Sequence, residues 1–321
     1  MIQLSLPRPA TPAQLHTPEV RAQVASIAQK VTQTPLCSAD FTAFWGNHLS
    51  VLQLTEKILK QLNPALPAHI IAALQALVGH VYQGERAFNR AVKSALSAAD
   101  YKDHKRRLCT AAETQTVAHT LWHFQQHKCC YCEHTISWKL ESDVEHFRPK
   151  TRIQGVPQHP GYWWLAYAWD NYFLACKICN TQYKGNQFPL AENGQRAQQP
   201  TEDLTQEKAL LLHPILDNPE HSIRYEITQC LVKAVATDAR GQATITQLTG
   251  INDVSRMEAR AHLVPGLAFI CTQMQRAQDS GENKWIDECA ACIRAESADK
   301  QTFAGFRRFY FRTQELAEYL A

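Results

Sequence analysis

Residues 170–184 read DNYFLACKICNTQYK, and together with Cys129-Cys130-Tyr131-Cys132 upstream they decide how the chain is built. Cys129 and Cys132 form one C-x2-C pair, and Cys176 and Cys179 form another. Two such knuckles can bring four thiolates to one tetrahedral Zn2+, and a closed four-sulfur set leaves no coordination position for a substrate, so a structural ion is expected. Cys130 could replace Cys129, but the two-residue spacing favours Cys129. The stretch from Cys132 to Cys176 exceeds the usual ribbon spacing, so an insert must lie between the knuckles.

The insert holds a second constellation. Asp143-Val144-Glu145-His146-Phe147-Arg148-Pro149-Lys150 joins a carboxylate directly to a histidine. Asn171 stands before the second knuckle, Asn180 directly after it, and Lys184-Gly185 just beyond. Taken singly, a Glu-His pair is ordinarily a solvated or salt-bridged pair, and an Asn beside a knuckle is a turn residue. Their co-occurrence with two knuckles, in this order, is what points to chemistry.

This order resembles the HNH endonucleases, whose site is a ββα-metal finger often stapled by C-x2-C pairs. His146 matches the first motif position, Asn171 the second and Asn180 the third; the gap from His146 to Asn171 is longer than in the short members. A narrower likeness runs through VEHFRPK, GYWWLAYAWDNYFLAC, CKICN, KGNQFPL and LLLHPILDNPE, over about residues 128–255. It resembles the HNH subunit of Septu-type defence systems, with related subunits in some retrons. The resemblance implies metal-dependent phosphodiester hydrolysis, with DNA favoured over RNA, an ABC-type ATPase as partner, and a role in antiviral defence. The chain shows no Walker A pattern of its own.

Phosphodiester hydrolysis needs a deprotonated water, a stabilised pentacovalent phosphorus and a neutralised leaving oxygen. His146 suits the general base. Glu145 and the Asn180 amide offer hard oxygens to a catalytic Mg2+ or Mn2+. Asn171 is expected to brace the histidine loop, and Arg148, Lys150 and Lys184 are candidate phosphate contacts. The rival readings are a non-catalytic zinc-stapled module that binds nucleic acid or protein, and a thiol redox protein using Cys289 and Cys292.

The rest of the chain sets the frame. It has 321 residues, 45% hydrophobic and 20% charged, an ordinary globular composition that excludes a disordered or collagen-like chain. A net charge of +3 is too small to argue for nucleic acid by itself. No transmembrane helix or secretory signal is expected, and eleven cysteines without an export signal suggest a reducing, cytoplasmic setting. The expected class is α+β in three parts: a helical region at 1–127, the ββα module at 128–190, and short strands plus helices at 191–321.

Helices are predicted from Thr17-Pro18-Glu19, after Ser38, after Pro67, and from a Thr110–Glu113 capping box through His127. Residues 191–208 read as a polar loop or linker. Strands are predicted at Ser222–Thr228, Cys230–Ala236 and Ala243–Leu248, the last after a turn at residues 238–241. His119, His123 and His127 fall on one helix face and are read as polar surface rather than as a metal site. Trp163, Trp164, Tyr167 and Trp169 are read as core rather than as base-stacking residues. The basic runs at 102–107 and at Arg307, Arg308 and Arg312 suit either a nucleic-acid track or solvated helix faces.

Overall fold

The computed structural model describes residues 117–320 except 139 and 167, together with Arg8, Arg21, Ala25, His69, Ala72, Ala73, Ala76 and residues 90–100 except 92. The expected N-terminal helices and the 102–107 basic run therefore lie, but for isolated residues, outside the described residues.

Helix α1, Val117–Phe124, buries Val117, Leu121 and Phe124, the one-sided spacing of an amphipathic helix. A long loop through the first knuckle leads to β1, Ser142–His146, which pairs antiparallel with β2, Tyr172–Cys176. The register sets Ser142 opposite Cys176 and His146 opposite Tyr172. All five residues of β2 are buried, as its unbroken apolar run requires. A wide-turn helix, α2 (Ile178–Lys184), follows at once and completes a ββα unit.

Each hairpin has one edge closed by a side-chain amide that imitates a backbone partner. Gln125 donates to the Leu174 carbonyl at 2.7 Å and accepts from the Leu174 N–H at 2.7 Å. In the second hairpin, β3 (Ile223–Ile227) with β4 (Val232–Ala236), Asn252 receives the Ala234 N–H and donates to its carbonyl, both at 2.8 Å. These amides satisfy ladder groups that a two-stranded ribbon leaves open.

The predicted strand Ala243–Leu248 is helical instead. Asp238 accepts the Gly241 N–H at 2.6 Å and caps α3, Ala239–Ala243, which runs on in wider turns through Leu248. Helices α4 (Val254–Ala261), α5 (Val264–Ser280), α6 (Asn283–Ser297) and α7 (Ala304–Thr313) complete the chain. The mixture of helices with short antiparallel strands is the α+β class expected. Buried residues form one continuous core from Val117 to Leu316, in which Phe306 of α7 meets Tyr225 of β3 edge-on at 5.3 Å. Trp163 and Trp169 are buried within this fold. Among the described residues no helix is long and apolar enough to cross a membrane.

Arg260, 1% exposed, ties these parts together. It donates twice to the Val232 carbonyl, at 3.0 and 2.7 Å, and to the Ile251 carbonyl at 2.8 Å. Arg260→Met keeps much of the volume but strands both carbonyls. It is expected to cost about 3 kcal/mol of unfolding free energy, read from the urea midpoint.

The basic run of α7 is paired with acids outside that helix. Arg307 pairs with Glu296, Arg308 with Glu220 at 2.5 Å and Asp299 at 3.0 Å, and Arg312 with Glu220. This run is a structural clamp between helices, which favours neither of the surface roles read from the sequence.

Candidate active site and metal centre

The four cysteines of the two knuckles converge. Cys129, Cys132, Cys176 and Cys179 are buried, and their sulfurs all lie within 4.8 Å of one another. Cys132 Sγ and Cys176 Sγ are 3.8 Å apart. A tetrahedron with metal–sulfur bonds of ~2.3 Å has edges of ~3.8 Å, so the quartet fits zinc. Among the described residues it is the one group of three or more His, Cys, Asp or Glu ligands gathered so closely. Cys130, also buried, is not part of it.

The backbone supports the same centre. The Cys176 N–H donates to Cys129 Sγ at 3.3 Å and the Cys179 N–H to Cys176 Sγ at 3.5 Å, while the Arg256 guanidinium lies 4.0 Å from Cys176 Sγ. Hydrogen bonds from the neighbouring thiols, Cys129 first, hold the Cys176 thiol far below its ordinary range, while burial pushes the Cys129 and Cys179 thiols up. A dication held by the four sulfurs would favour their thiolate forms.

β1 carries the second centre on its two faces, because successive strand residues point opposite ways. On one face lie Asp143 and Glu145, with α2 laid across them. Asn180 sits 3.5 Å from the exposed Asp143 carboxylate. One turn on, Lys184 pairs with Glu145 at 2.5 Å and donates to the His146 carbonyl at 3.0 Å. Both partners of that ion pair are buried, and Tyr131 donates to Glu145 from 3.3 Å. Burial pushes the Glu145 carboxyl up and Lys184 pulls it back. Glu145 and Asn180, expected to share one cation, therefore answer to different partners in this structure.

On the other face stands His146, half-buried and edge-on to Tyr172 at 4.9 Å. Its Nε2 is 3.0 Å from the Ala166 carbonyl. A carbonyl only accepts, so Nε2 carries the proton and Nδ1 keeps the lone pair. Lys150 Nζ lies 3.4 Å from Nδ1. Burial and the Lys150 charge hold the imidazole well below its ordinary value, so it stays neutral. Burial likewise pushes the Lys150 ammonium down to about 8.

Asn171 binds both backbone groups of Arg148: its Oδ1 receives the N–H at 2.8 Å and its Nδ2 donates to the carbonyl at 3.0 Å. That fixes the chain directly after His146. Two of the three expected phosphate contacts, Arg148 and Lys184, engage partners within the protein in this structure. Lys184 is 1% exposed and spent on Glu145 and the His146 carbonyl. Arg148 is paired with the buried Glu207 at 2.6 Å. Of the three, Lys150 alone keeps its ammonium beside the histidine ring.

Sequence reasoning missed Glu207. It lies in the polar stretch read as a loop, yet its carboxylate receives the Tyr162 hydroxyl at 2.5 Å and the Ala197 N–H at 3.2 Å besides Arg148. An isolated Glu among Gln and Thr gave no signal. His119, His123 and His127 contact one another in series, Nε2 to Nε2 at 3.1 Å and then Nδ1 to Nε2 at 3.3 Å, with Trp122 stacked on His127. Cys289 is buried and Cys292 exposed on α6, both as free thiols.

No family model matches the chain, and no solved structure matches it. The chain is similar to the Septu protein PtuB of Bacillus mycoides (strain KBAB4), at 36% identity over 198 residues. The matched stretch covers 57% of this chain and 66% of that relative, just under two thirds of its length.

Proposed function

We propose, from a likeness that supports placing the chain in the PtuB-like Septu family, that it is the nuclease subunit of an antiviral defence complex and hydrolyses phosphodiester bonds in a metal-dependent reaction. The observation that carries this reading is the setting of His146: a neutral imidazole at the end of β1 of a ββα unit, with its proton fixed on Nε2 by the Ala166 carbonyl. Nδ1 is then the atom that takes a proton from water. Lys150 draws a phosphate to the same nitrogen, and its charge offsets that developing on the phosphoryl oxygens. Asn171 holds the 147–148 backbone so that the histidine does not swing with the insert.

The four sulfurs suit zinc as a staple of the hairpin to α2. A bound Mg2+ or Mn2+ would supply Lewis-acid stabilisation of the phosphoryl and leaving oxygens. Glu145 and Asn180 each engage another side chain, Lys184 and Asp143. DNA is the favoured substrate by resemblance to HNH enzymes, and an ATPase is the proposed partner that decides when cleavage occurs.

The test is incubation of the purified chain with plasmid DNA and with total tRNA, in Mg2+ or Mn2+, with and without the product of the neighbouring gene. Cleavage that stops on adding a chelator and is lost in His146→Ala, at unchanged zinc content, supports the nuclease. Its absence under every condition would turn the reading to a binding module that lacks chemistry.

A further inference from the structure

The Lys184–Glu145 pair asks for a role of its own. A buried ion pair is costly to desolvate, and replacing such a pair by apolar residues is often neutral or stabilising. Stability alone is therefore a weak reason to keep charge at these two positions. What sets this pair apart is its third contact. Lys184 Nζ donates to the carbonyl of His146 itself at 3.0 Å while pairing with Glu145 at 2.5 Å. Lys184 is the last residue of α2, and Gly185 beyond it takes φ +48, so the helix ends where the ammonium meets the strand. Tyr131, between the cysteines of the first knuckle, donates to the same Glu145 oxygen at 3.3 Å. The zinc knuckle, the end of α2 and the end of β1 are thus joined at one buried point, directly behind the histidine.

We infer that Lys184 is a positioning residue for His146, and that Glu145 is its counter-ion rather than a ligand for the catalytic cation. The inference rests on the nuclease reading for what His146 does, but not for how it is held. A carboxylate 2.5 Å from an ammonium, inside the protein and supported by a tyrosine, already has its charge balanced. A dication would have to displace Lys184, which would release the His146 carbonyl at the same time. Oxygens for a cation would then come from farther along the same face, where Asn180 lies beside the exposed Asp143.

The experiment uses the full chain and four proteins: wild type, Glu145→Gln, Lys184→Met and the double variant, which leaves the net charge near His146 unchanged. Three quantities are measured: Mn2+ affinity by calorimetry, the His146 tautomer from ring 15N shifts, and steady-state cleavage. Lys184→Met alone leaves a bare buried carboxylate and is expected to lower the melting temperature, which the double variant restores. Mn2+ affinity is expected to stay within roughly twofold in Glu145→Gln and in the double variant. In the double variant the His146 ring is expected to change from one tautomer to a mixture. Its kcat is expected to fall at least roughly tenfold at nearly constant KM, because the base is displaced while phosphate binding is kept.

A loss of Mn2+ affinity of roughly tenfold or more in Glu145→Gln at unchanged zinc content, or a gain in Lys184→Met, would make Glu145 the cation ligand and overturn the assignment. So would a double variant that keeps the wild-type tautomer. The tautomer is read whether or not the chain cleaves nucleic acid. A chain without cleavage whose tautomer depends on Lys184 sinks the nuclease reading and leaves the positioning role standing.

Discussion

His146→Ala is expected to lower the cleavage rate by about 10²–10⁴-fold, the span that a positioned general base contributes. KM should change little, because the substitution leaves Lys150, the cation beside the ring, in place. Zinc content should not move, since the histidine belongs to neither knuckle. The pH profile gives a second reading of the same residue. Burial, aided by Lys150, holds the imidazole below 6.5, so the basic form persists as pH falls through that value. The rate should therefore stay level from pH 7 down past 6.5, where an exposed histidine would already have lost half its basic form. On the alkaline side Lys150 titrates at about 8, and the rate should decline as its charge is lost. Lys150→Met should remove that alkaline limb and raise KM. A profile that halves at pH 6.5 would mean that the ring is solvated rather than held.

The second large effect concerns the staple. Cys176→Ser is expected to abolish zinc binding and with it the folded state of the 128–190 region. A two-stranded ribbon is marginal by itself in water, and β1–β2 has no third strand among the described residues. Structural zinc contributes apparent binding free energies of about 10–16 kcal/mol in small fingers. That is comparable with the ~5–15 kcal/mol total stability of a typical domain, so loss of the ion is enough to unfold the region. Metal analysis should show one zinc per chain lost, and the near-ultraviolet signal of Trp163 and Trp169 should collapse with it. Cys130→Ala is the paired control: this cysteine is buried but outside the quartet, so zinc should be retained at a cost of only ~1–2 kcal/mol. Retention of zinc in Cys176→Ser would exclude the four-sulfur centre.

How far the sequence could be read depended on the range of the interaction involved. The knuckles were legible because each pair is local and its chemistry demands a fixed spacing. The ββα order came from the resemblance to the HNH endonucleases, and β3 and β4 from candidate strands separated by a break at residues 228–231. Ala243–Leu248 deceived because its β-branched residues imitate a strand; a single cap by Asp238 starts a helix that buries Ala243, Thr244, Ile245 and Leu248 on one face. The pairings that decide the site were not legible. Glu145 finds Lys184, and Arg148 finds Glu207, across the fold. Nothing local distinguishes a lysine that faces phosphate from one that closes a buried ion pair. The α7 arginines make the same point, since their acids lie on other elements.

The segment between His146 and Asn171 has a bearing on how portable this unit is. Its backbone supplies the carbonyls of Ala166 to the His146 ring and of Leu165 to the Asn171 amide, so the long connection holds those two side chains rather than merely spacing them. Grafting only the two strands and α2 onto another scaffold, with a tight turn in place of the connection, would transplant every motif residue and still lose the group that selects the protonated nitrogen. A minimal unit cut from this chain would have to carry its insert with it to keep the histidine as it is held here.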